Sequence, residues 1–250
     1  MNLNKRQKVL LDKLTRLGQL SLEEEAAAFD VSTMTIRRDI ALFEAQGIAV
    51  RTQGGAVSRV ADPALLLGDT RVTEAQRRIA RKTVEMLPPD STVMLSTGST
   101  TLEVARQLAV SGRKLAVVTN SLHIAAALFQ TPIQVILTGG SLRANSLDLV
   151  GPVAEKNLNE YYIDVLVSGC DGAVADEGFF TQDLNLAAME RKSVEKSRKV
   201  IIVTESAKFN RPSFVPFAEV NQVNTVITDS GLSETCRAQL MAHGVEVVRV

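Results

Sequence analysis

Tryptophan is absent, and aromatic residues make up only 4% of the 250-residue chain. Its cores must therefore be built from aliphatic side chains. Two cysteines, Cys170 and Cys236, stand far apart with no metal-ligand spacing, so neither a structural zinc site nor a disulfide framework is expected. No apolar run approaches the roughly 18 residues that a membrane span needs. The N-terminus is polar and basic and lacks the apolar stretch of a signal peptide, which points to a cytoplasmic protein with reduced thiols. Net charge is also missing, with 28 basic against 28 acidic residues. Nothing global advertises a polyanionic partner, so a DNA reader would have to concentrate its basic groups locally. No internal repeat or low-complexity segment is present.

What is there is organised around Val31 to Gly47, VSTMTIRRDIALFEAQG. Ser32 is a good N-cap, because its hydroxyl accepts from first-turn amides that lack partners, and Gly47 supplies the stop. Ile36, Ile40 and Phe43 fall at i, i+4 and i+7 and form one apolar stripe. Met34, Arg37, Arg38 and Ala41 spread over the other side, with Thr33 and Thr35 near the exposed tip. Short hydroxylated side chains beside two adjacent guanidinium groups suit base edges and phosphates in a major groove. An amphipathic surface helix with solvated arginines has the same stripe, so the flanks must decide. Ser21-Leu22-Glu23-Glu24 is a capping box opening a helix through about Phe29. Asp30 then stands where a tight turn needs a residue that tolerates a left-handed backbone. Two helices joined with so little linker make a helix-turn-helix.

Lys5 to Leu17 reads as a first helix, with Leu10, Leu14 and Leu17 on one face; Lys5, Arg6 and Lys8 could touch phosphates. Ile48 to Ala56 alternates and contains Gly54-Gly55, a short hairpin or wing from which Arg51 could reach the DNA backbone or a minor groove. The run VSTMTIRRDIALFEAQGIAVRTQGGA closely resembles the N-terminal domain of the DeoR family of bacterial transcriptional repressors. The resemblance implies DNA contacts from Ser32, Thr33, Met34, Thr35, Arg37, Arg38 and Arg51. It also shows a departure, since the family usually has His where this chain has Gln53.

Residues 58 to 72, with Asp62-Pro63 and Gly68-Asp69, read as a linker, and Thr73 to Leu87 as a helix ended by Pro88-Pro89. Beyond it, short β-rich runs alternate with helical stretches. The runs are Thr92 to Leu95, Leu115 to Thr119, Ile133 to Thr138, Ile163 to Val167, Val200 to Thr204, Val223 to Thr228 and Val245 to Val250. Helical stretches near 101 to 110, 121 to 130, 152 to 161, 184 to 197 and 233 to 243 separate them. The alternation predicts an α/β fold with a mainly parallel sheet covered by helices on both faces. The expected organisation is a winged helix-turn-helix domain over 1–57, a linker over 58–72 and a larger α/β effector-binding and oligomerisation domain over 73–250.

Ligands of open α/β sheets bind at the carboxyl ends of strands, where four loops are informative. Ser96-Thr97-Gly98-Ser99-Thr100-Thr101 lies between a strand and a helix and reads either as an anion cradle or as a hydroxyl-rich cap. Thr138-Gly139-Gly140, followed by Arg143, brings backbone close to something or simply turns. Asp171, in Ser168-Gly169-Cys170-Asp171-Gly172, could accept from sugar hydroxyls or cap a turn. Lys208, after Glu205, would be a point-charge partner for phosphate or a surface lysine. Their convergence at strand ends lifts the set above its parts.

These segments also resemble the C-terminal domain of DeoR-type repressors, which is similar in fold to ribose-5-phosphate isomerase. The resemblance implies a phosphorylated sugar or related metabolite as effector. Carried over by position, Thr97, Gly98, Ser99, Thr100 and Thr101 would hold phosphate with Lys208, while Asn120, Gly139, Gly140 and Asp171 would line the sugar end, with Arg143 nearby. Departures are Ser96 and Glu205 where Asp is common, Cys170 where Ala is common, and Asn185 to Arg191, which lacks a usual Glu-Ala pair and places Glu190 where Lys is common. Reversing a charge near the ligand mouth should change which molecule fits. His123 reads as a helical residue rather than a base.

The expected protein is a repressor of carbohydrate metabolism genes that binds double-stranded operator DNA as a homo-oligomer, dimer or tetramer, and is released by its effector. No cofactor, metal or membrane contact is expected. The alternative is a sugar-phosphate isomerase or hydrolase with a DNA-binding appendage. Catalysis would need an acid/base pair for which Asp171 has no evident partner in sequence, and fold kinship alone confers no turnover.

Overall fold

The structure, a computed structural model, describes residues 3–17, 19–58, 72–144 and 146–250, with the side chains of 15–17 and 58 excepted. They fall into two compact units, Met1–Asp69 and Thr70–Val250. The expected linker at 58–72 lies almost wholly outside the described residues, as does the side chain of Leu17.

In the first unit, α1 (Lys5–Leu17) leads through β1 (Gln19–Ser21) into α2 (Leu22–Phe29) and α3 (Thr33–Ala45), followed by β2 (Ala49–Arg51) and β3 (Gly55–Ser58). The Ser21 hydroxyl accepts from the Glu24 amide at 3.4 Å, which is the Ser half of the expected capping box. Asp30 adopts φ 50° and ψ 50°, the left-handed conformation that lets α2 turn directly into α3. Leu10, Leu14, Leu20, Leu22, Ile36, Ile40 and Phe43 are buried in one largely aliphatic core, with Phe29 packed against it. Asp39, buried on α3, accepts from Arg6 Nε and from Gln7 Nε2, both at 2.7 Å. Hydrogen bonds to a charged group are worth about 1.5–3 kcal/mol each, so this pair fastens α1 to α3. Arg6 is thereby held inside the unit, not extended toward a phosphate.

The wing is wider than a hairpin. β3 pairs antiparallel with β2 on one side and with β1 on the other. A three-residue strand such as β1 carries too little pattern to be read from sequence; what marks it is Gly55, whose backbone lies so close to the Leu20 carbonyl that no Cβ fits between them.

The second unit is built on a seven-stranded, all-parallel sheet in the order β15-β14-β12-β9-β4-β5-β6. Its strands are β4 (Thr92–Leu95), β5 (Ala116–Thr119), β6 (Gln134–Leu137), β9 (Ile163–Ser168), β12 (Ser197–Val203), β14 (Thr225–Thr228) and β15 (Glu246–Arg249). The helices are α4 (Glu74–Met86), α5 (Ser99–Val110), α6 (Leu122–Leu128), α7 (Pro152–Asn157), α8 (Leu184–Lys196) and α9 (Glu234–Ala242). Each expected strand run is present within about three residues, and the stretch expected to be helical to 161 ends at Asn157 in a short 3-10 turn. Central strands are apolar on both faces, as a sheet covered on both sides requires.

Two antiparallel additions have no counterpart in the periodicity. β7 (Ser141–Arg143) pairs with β8 (Asp148–Val150), and β10 (Gly172–Val174), β11 (Gly178–Thr181) and β13 (Val215–Glu219) form a small sheet of their own. Pro216 argues against a strand, yet β13 pairs with β11 alone and so can hold proline on its open edge.

The order of the large sheet reverses between β4 and β9. From β4 the chain winds outward through β5 and β6, and from β9 the other way through β12, β14 and β15. The loops leaving β4 and β9 therefore separate and leave a crevice at their carboxyl ends.

Candidate functional site

Thr33, Met34, Arg37 and Arg38 are exposed on one side of α3, with Met34 57% accessible. Ser32 and Thr35 are committed to the helix start, since the Ser32 hydroxyl accepts from the Thr35 amide at 3.3 Å and lies 3.0 Å from the Thr35 hydroxyl. Arg51 is ion-paired to Glu44 at 2.5 Å and remains largely exposed. Leu22, Arg37, Ile40, Glu44, Arg51 and Gln53 line a shallow groove between α3 and the wing. Two free guanidinium groups on a protruding helix, a third beside them and a methionine at the tip form a surface for a polyanion with readable edges.

The crevice at the switch point is a cleft of about 260 Å³. At one end, Gly98 caps α5 at φ 146° and offers no side chain to the first-turn amides, which remain available to an anion. The hydroxyls of Thr97, Ser99 and Thr100 border them. Gln76 orients two of these: its Oε1 accepts from the Thr73 amide at 3.0 Å, and its Nε2 donates to Ser99 Oγ at 3.1 Å and to Thr100 Oγ1 at 3.5 Å. Lys208 lines the same cleft from a short turn after β12. Asp229 fixes that turn by accepting from the Ser206 amide at 2.6 Å and the Ser206 hydroxyl at 2.7 Å. No ion pair engages Lys208 among the described residues.

The other end is acidic. Asp171 Oδ2 accepts from the Thr181 hydroxyl at 3.2 Å and the Gln182 amide at 3.0 Å. Arg143 grips Asp148 with two parallel bonds, at 2.7 and 2.6 Å, and reaches Asp183 at 2.9 Å, which raises its own pKa further. Glu190, on α8, is 3% exposed, and its Oε2 has no hydrogen-bond partner. Burial pushes its carboxyl well above the ordinary range. Asp171 and Asp148 push the same way, against Arg143 and a hydrogen bond from Ser168. Cys170 lines the cleft with its thiol pushed up to about 12 by burial, and its Sγ donates to Thr204 Oγ1 at 3.4 Å, so it is no nucleophile at neutral pH. His123 lies on α6 with a buried, unpartnered Nδ1, and burial lowers its pKa.

A carboxyl whose folded pKa exceeds its unfolded value binds more protons when folded, so stability falls as pH rises from the unfolded toward the folded pKa. The unliganded second unit should therefore lose thermal stability as pH climbs above the ordinary glutamate range. Glu190→Gln should remove that slope, while Asp171, Asp148, Arg143 and Cys170 around it are unchanged. Thermal unfolding of both proteins across pH checks it; identical slopes would show that Glu190 titrates normally.

Residues 71–230 match the model of the DeoR C terminal sensor domain, and residues 6–60 that of the DeoR-like helix-turn-helix domain. The chain belongs to the DeoR family. It is a helix-turn-helix transcriptional regulator with a sensor domain. It is 35% identical to the HTH-type transcriptional regulator GlpR of Haloferax volcanii, over 91% of this chain and 90% of that protein. To the glycerol-3-phosphate regulon repressor of Escherichia coli (strain K12) it is 28% identical over 99% of each. Among solved structures, ribose 5-phosphate isomerase A from Neisseria gonorrhoeae aligns with a TM-score of 0.42 at 21% identity, over 54% of this chain and 52% of that one. No helix among the described residues is long and apolar enough to cross a membrane.

Within this DeoR sensor domain, Thr97, Gly98, Ser99, Thr100, Arg143, Asp171 and Lys208 meet on one cleft, as the sequence leads one to expect. Four expected residues are not on its wall. Thr101 is buried and its hydroxyl donates back to the Gly98 carbonyl at 2.9 Å. Asn120 is buried, and its Nδ2 donates to the Leu149 carbonyl at 3.3 Å, which docks β8. Gly139 turns the backbone at φ 71°, and Gly140 serves a tight approach: a Cβ there would lie 2.7 Å from the Val150 carbonyl and 2.8 Å from Ala154 Cβ. Gln76, Ser146, Asp148, Thr181 and Thr204 line the cleft without having been singled out in sequence. Of these only Gln76 carries a signal, the Thr73-x-x-Gln76 capping box that the structure shows to be complete.

Proposed function

We propose that this DeoR-family regulator represses carbohydrate metabolism genes by binding operator DNA as a homo-oligomer and is released by a phosphorylated sugar or related metabolite. In this reading 1–57 is the DNA-binding domain, 58–72 the linker and 73–250 the effector domain, acting in the cytoplasm without catalysis. One observation carries the reading: an uncapped helix start, three hydroxyls and a lysine with no ion pair among the described residues share a single switch-point cleft with several carboxylates. The first end suits a phosphate and the second suits the hydroxyls of a polyol.

The relatives' printed roles support it, since one controls a glycerol-3-phosphate regulon. The experiment is an operator-binding titration with a panel of sugar phosphates and their unphosphorylated counterparts. Release by a phosphate alone supports the proposal; release by no member, or equally by the unphosphorylated form, contradicts it.

On the DNA side, Arg38→Ala should weaken specific operator binding by about 1–3 kcal/mol if Arg38 reads a base edge. Fluorescence anisotropy with operator and scrambled duplexes measures it. An equal loss on both would make Arg38 a phosphate contact, and no loss would remove it from the interface.

A further inference from the structure

The acidic end of the cleft is incomplete in a specific way. Glu190 Oε2 is buried, unpartnered and on the cleft wall, and Asp171 faces it across the same space with its hydrogen bonds confined to Oδ2. The nearest cation cannot serve both carboxylates, because Arg143 is already divided between Asp148 and Asp183. Lys208, which also lines the cleft and acts on the Cys170 thiol, is the partner of the phosphate in this reading. The titratable and charged groups facing Glu190 are then Asp171 and Cys170 from the loop after β9, Asp148 from β8 and Arg143 from β7; Glu205 and Lys208, from the turn after β12, line the same cleft. Among the charges that act most strongly on Glu190, Arg143 is the one cation, and two aspartates already hold it.

A neutral sugar hydroxyl would leave Glu190 facing Asp171 with a proton as its sole counterion. A metal ion is disfavoured, because among the described residues no group of three or more His, Cys, Asp or Glu side chains is placed to share one. A protonated amine supplies up to three N–H donors and a positive charge to two carboxylates at once, which is the complement that is missing.

Resting on the phosphorylated-sugar reading of this cleft, we infer that its acidic end receives an ammonium group beside Asp171 and Glu190, so that the effector is an aminated sugar phosphate. Binding then proceeds without covalent change. The Glu190 carboxyl releases its proton to solvent, and the resulting carboxylate accepts an N–H from the ligand. A buried acid held in its neutral form by its surroundings makes that release measurable.

The test is isothermal titration calorimetry of the full chain with the 6-phosphates of 2-amino-2-deoxyglucose and 2-amino-2-deoxygalactose, their N-acetyl and 2-hydroxyl counterparts, and the unphosphorylated amines. Repeating it in buffers of different ionisation enthalpy counts protons. An amine phosphate should bind at least about tenfold more tightly than its hydroxyl and N-acetyl counterparts, with proton release. Glu190→Gln should abolish both the preference and the release while keeping the dependence on phosphate. Equal affinity for amine and hydroxyl phosphates overturns the ammonium assignment and leaves the phosphate reading standing. Equal affinity for an amine with and without phosphate, or binding by none of the phosphates, overturns both. Should Glu190→Gln fail to fold, the ligand preference and proton count of the unaltered protein still decide.

Discussion

Lys208→Ala should leave operator affinity unchanged while raising the effector concentration needed for release by one to two orders of magnitude. The lysine lines the same cleft as the uncapped helix start and stands on a turn that Asp229 pins. A charge-assisted hydrogen bond to a phosphate contributes about 1.5–3 kcal/mol, and its loss should appear mainly as weaker binding because no ion pair engages the side chain among the described residues. Operator titrations at several effector concentrations measure both quantities together. A variant that releases at the wild-type concentration would remove Lys208 from the phosphate site. One that loses operator binding would mean that the turn supports the fold and not the ligand.

Gly55→Ala should disable DNA binding by a different route. A Cβ at this position overlaps the carbonyl of Leu20, which belongs to the neighbouring strand and not to a flexible side chain. Relief requires β1 and β3 to part, breaking the register Leu20↔Ala56 and Ser21↔Gly55. Overpacking of this kind costs on the order of 3 kcal/mol. A unit of this size has a total stability of roughly 3–8 kcal/mol at the usual contribution per residue, so most of it is at stake. Circular dichroism of the isolated variant and its operator affinity should both fall, while sugar-phosphate binding by residues 73–250 persists. Retained operator binding would show that the strands can separate at little cost. Neighbouring Gly54, which has open space around its Cβ position, is the control.

How much of this was legible follows from where each element's information resides. The caps at Ser21 and Ser32, the left-handed Asp30 and the apolar stripe of α3 are local, and all are visible in a dozen residues. Parallel strands at the centre of the sheet are apolar runs flanked by helices, and they too stand out. β1 and β13 are defined by partners distant in the chain, and β7, β8, β10 and β11 are hairpin strands of three or four residues, so short composition alone cannot reveal them. The cleft was half legible for the same reason. Strand-end loops announced Thr97 to Thr100, Asp171 and Lys208, whereas Asp148 and Thr181 arrive on those hidden strands. The glycine pair misled, since Gly140 is demanded by the close approach of Val150 and Ala154 and Gly139 by its left-handed backbone. Glu190 was noticed as an unusual charge, but only packing shows that it is buried and has an oxygen without a partner.

The clamp of Asp39 on Arg6 and Gln7 has a consequence for how repression can be lifted. With α1 bonded to α3 and α2 joined to α3 through one strained residue, the reading helix has no slack of its own. An effector cannot work by softening it or rotating it within its unit. If the regulator binds as the proposed homo-oligomer, control acts on the whole block, by changing the spacing or bearing of one intact reader against another, so that two correct faces no longer meet two half-sites at once.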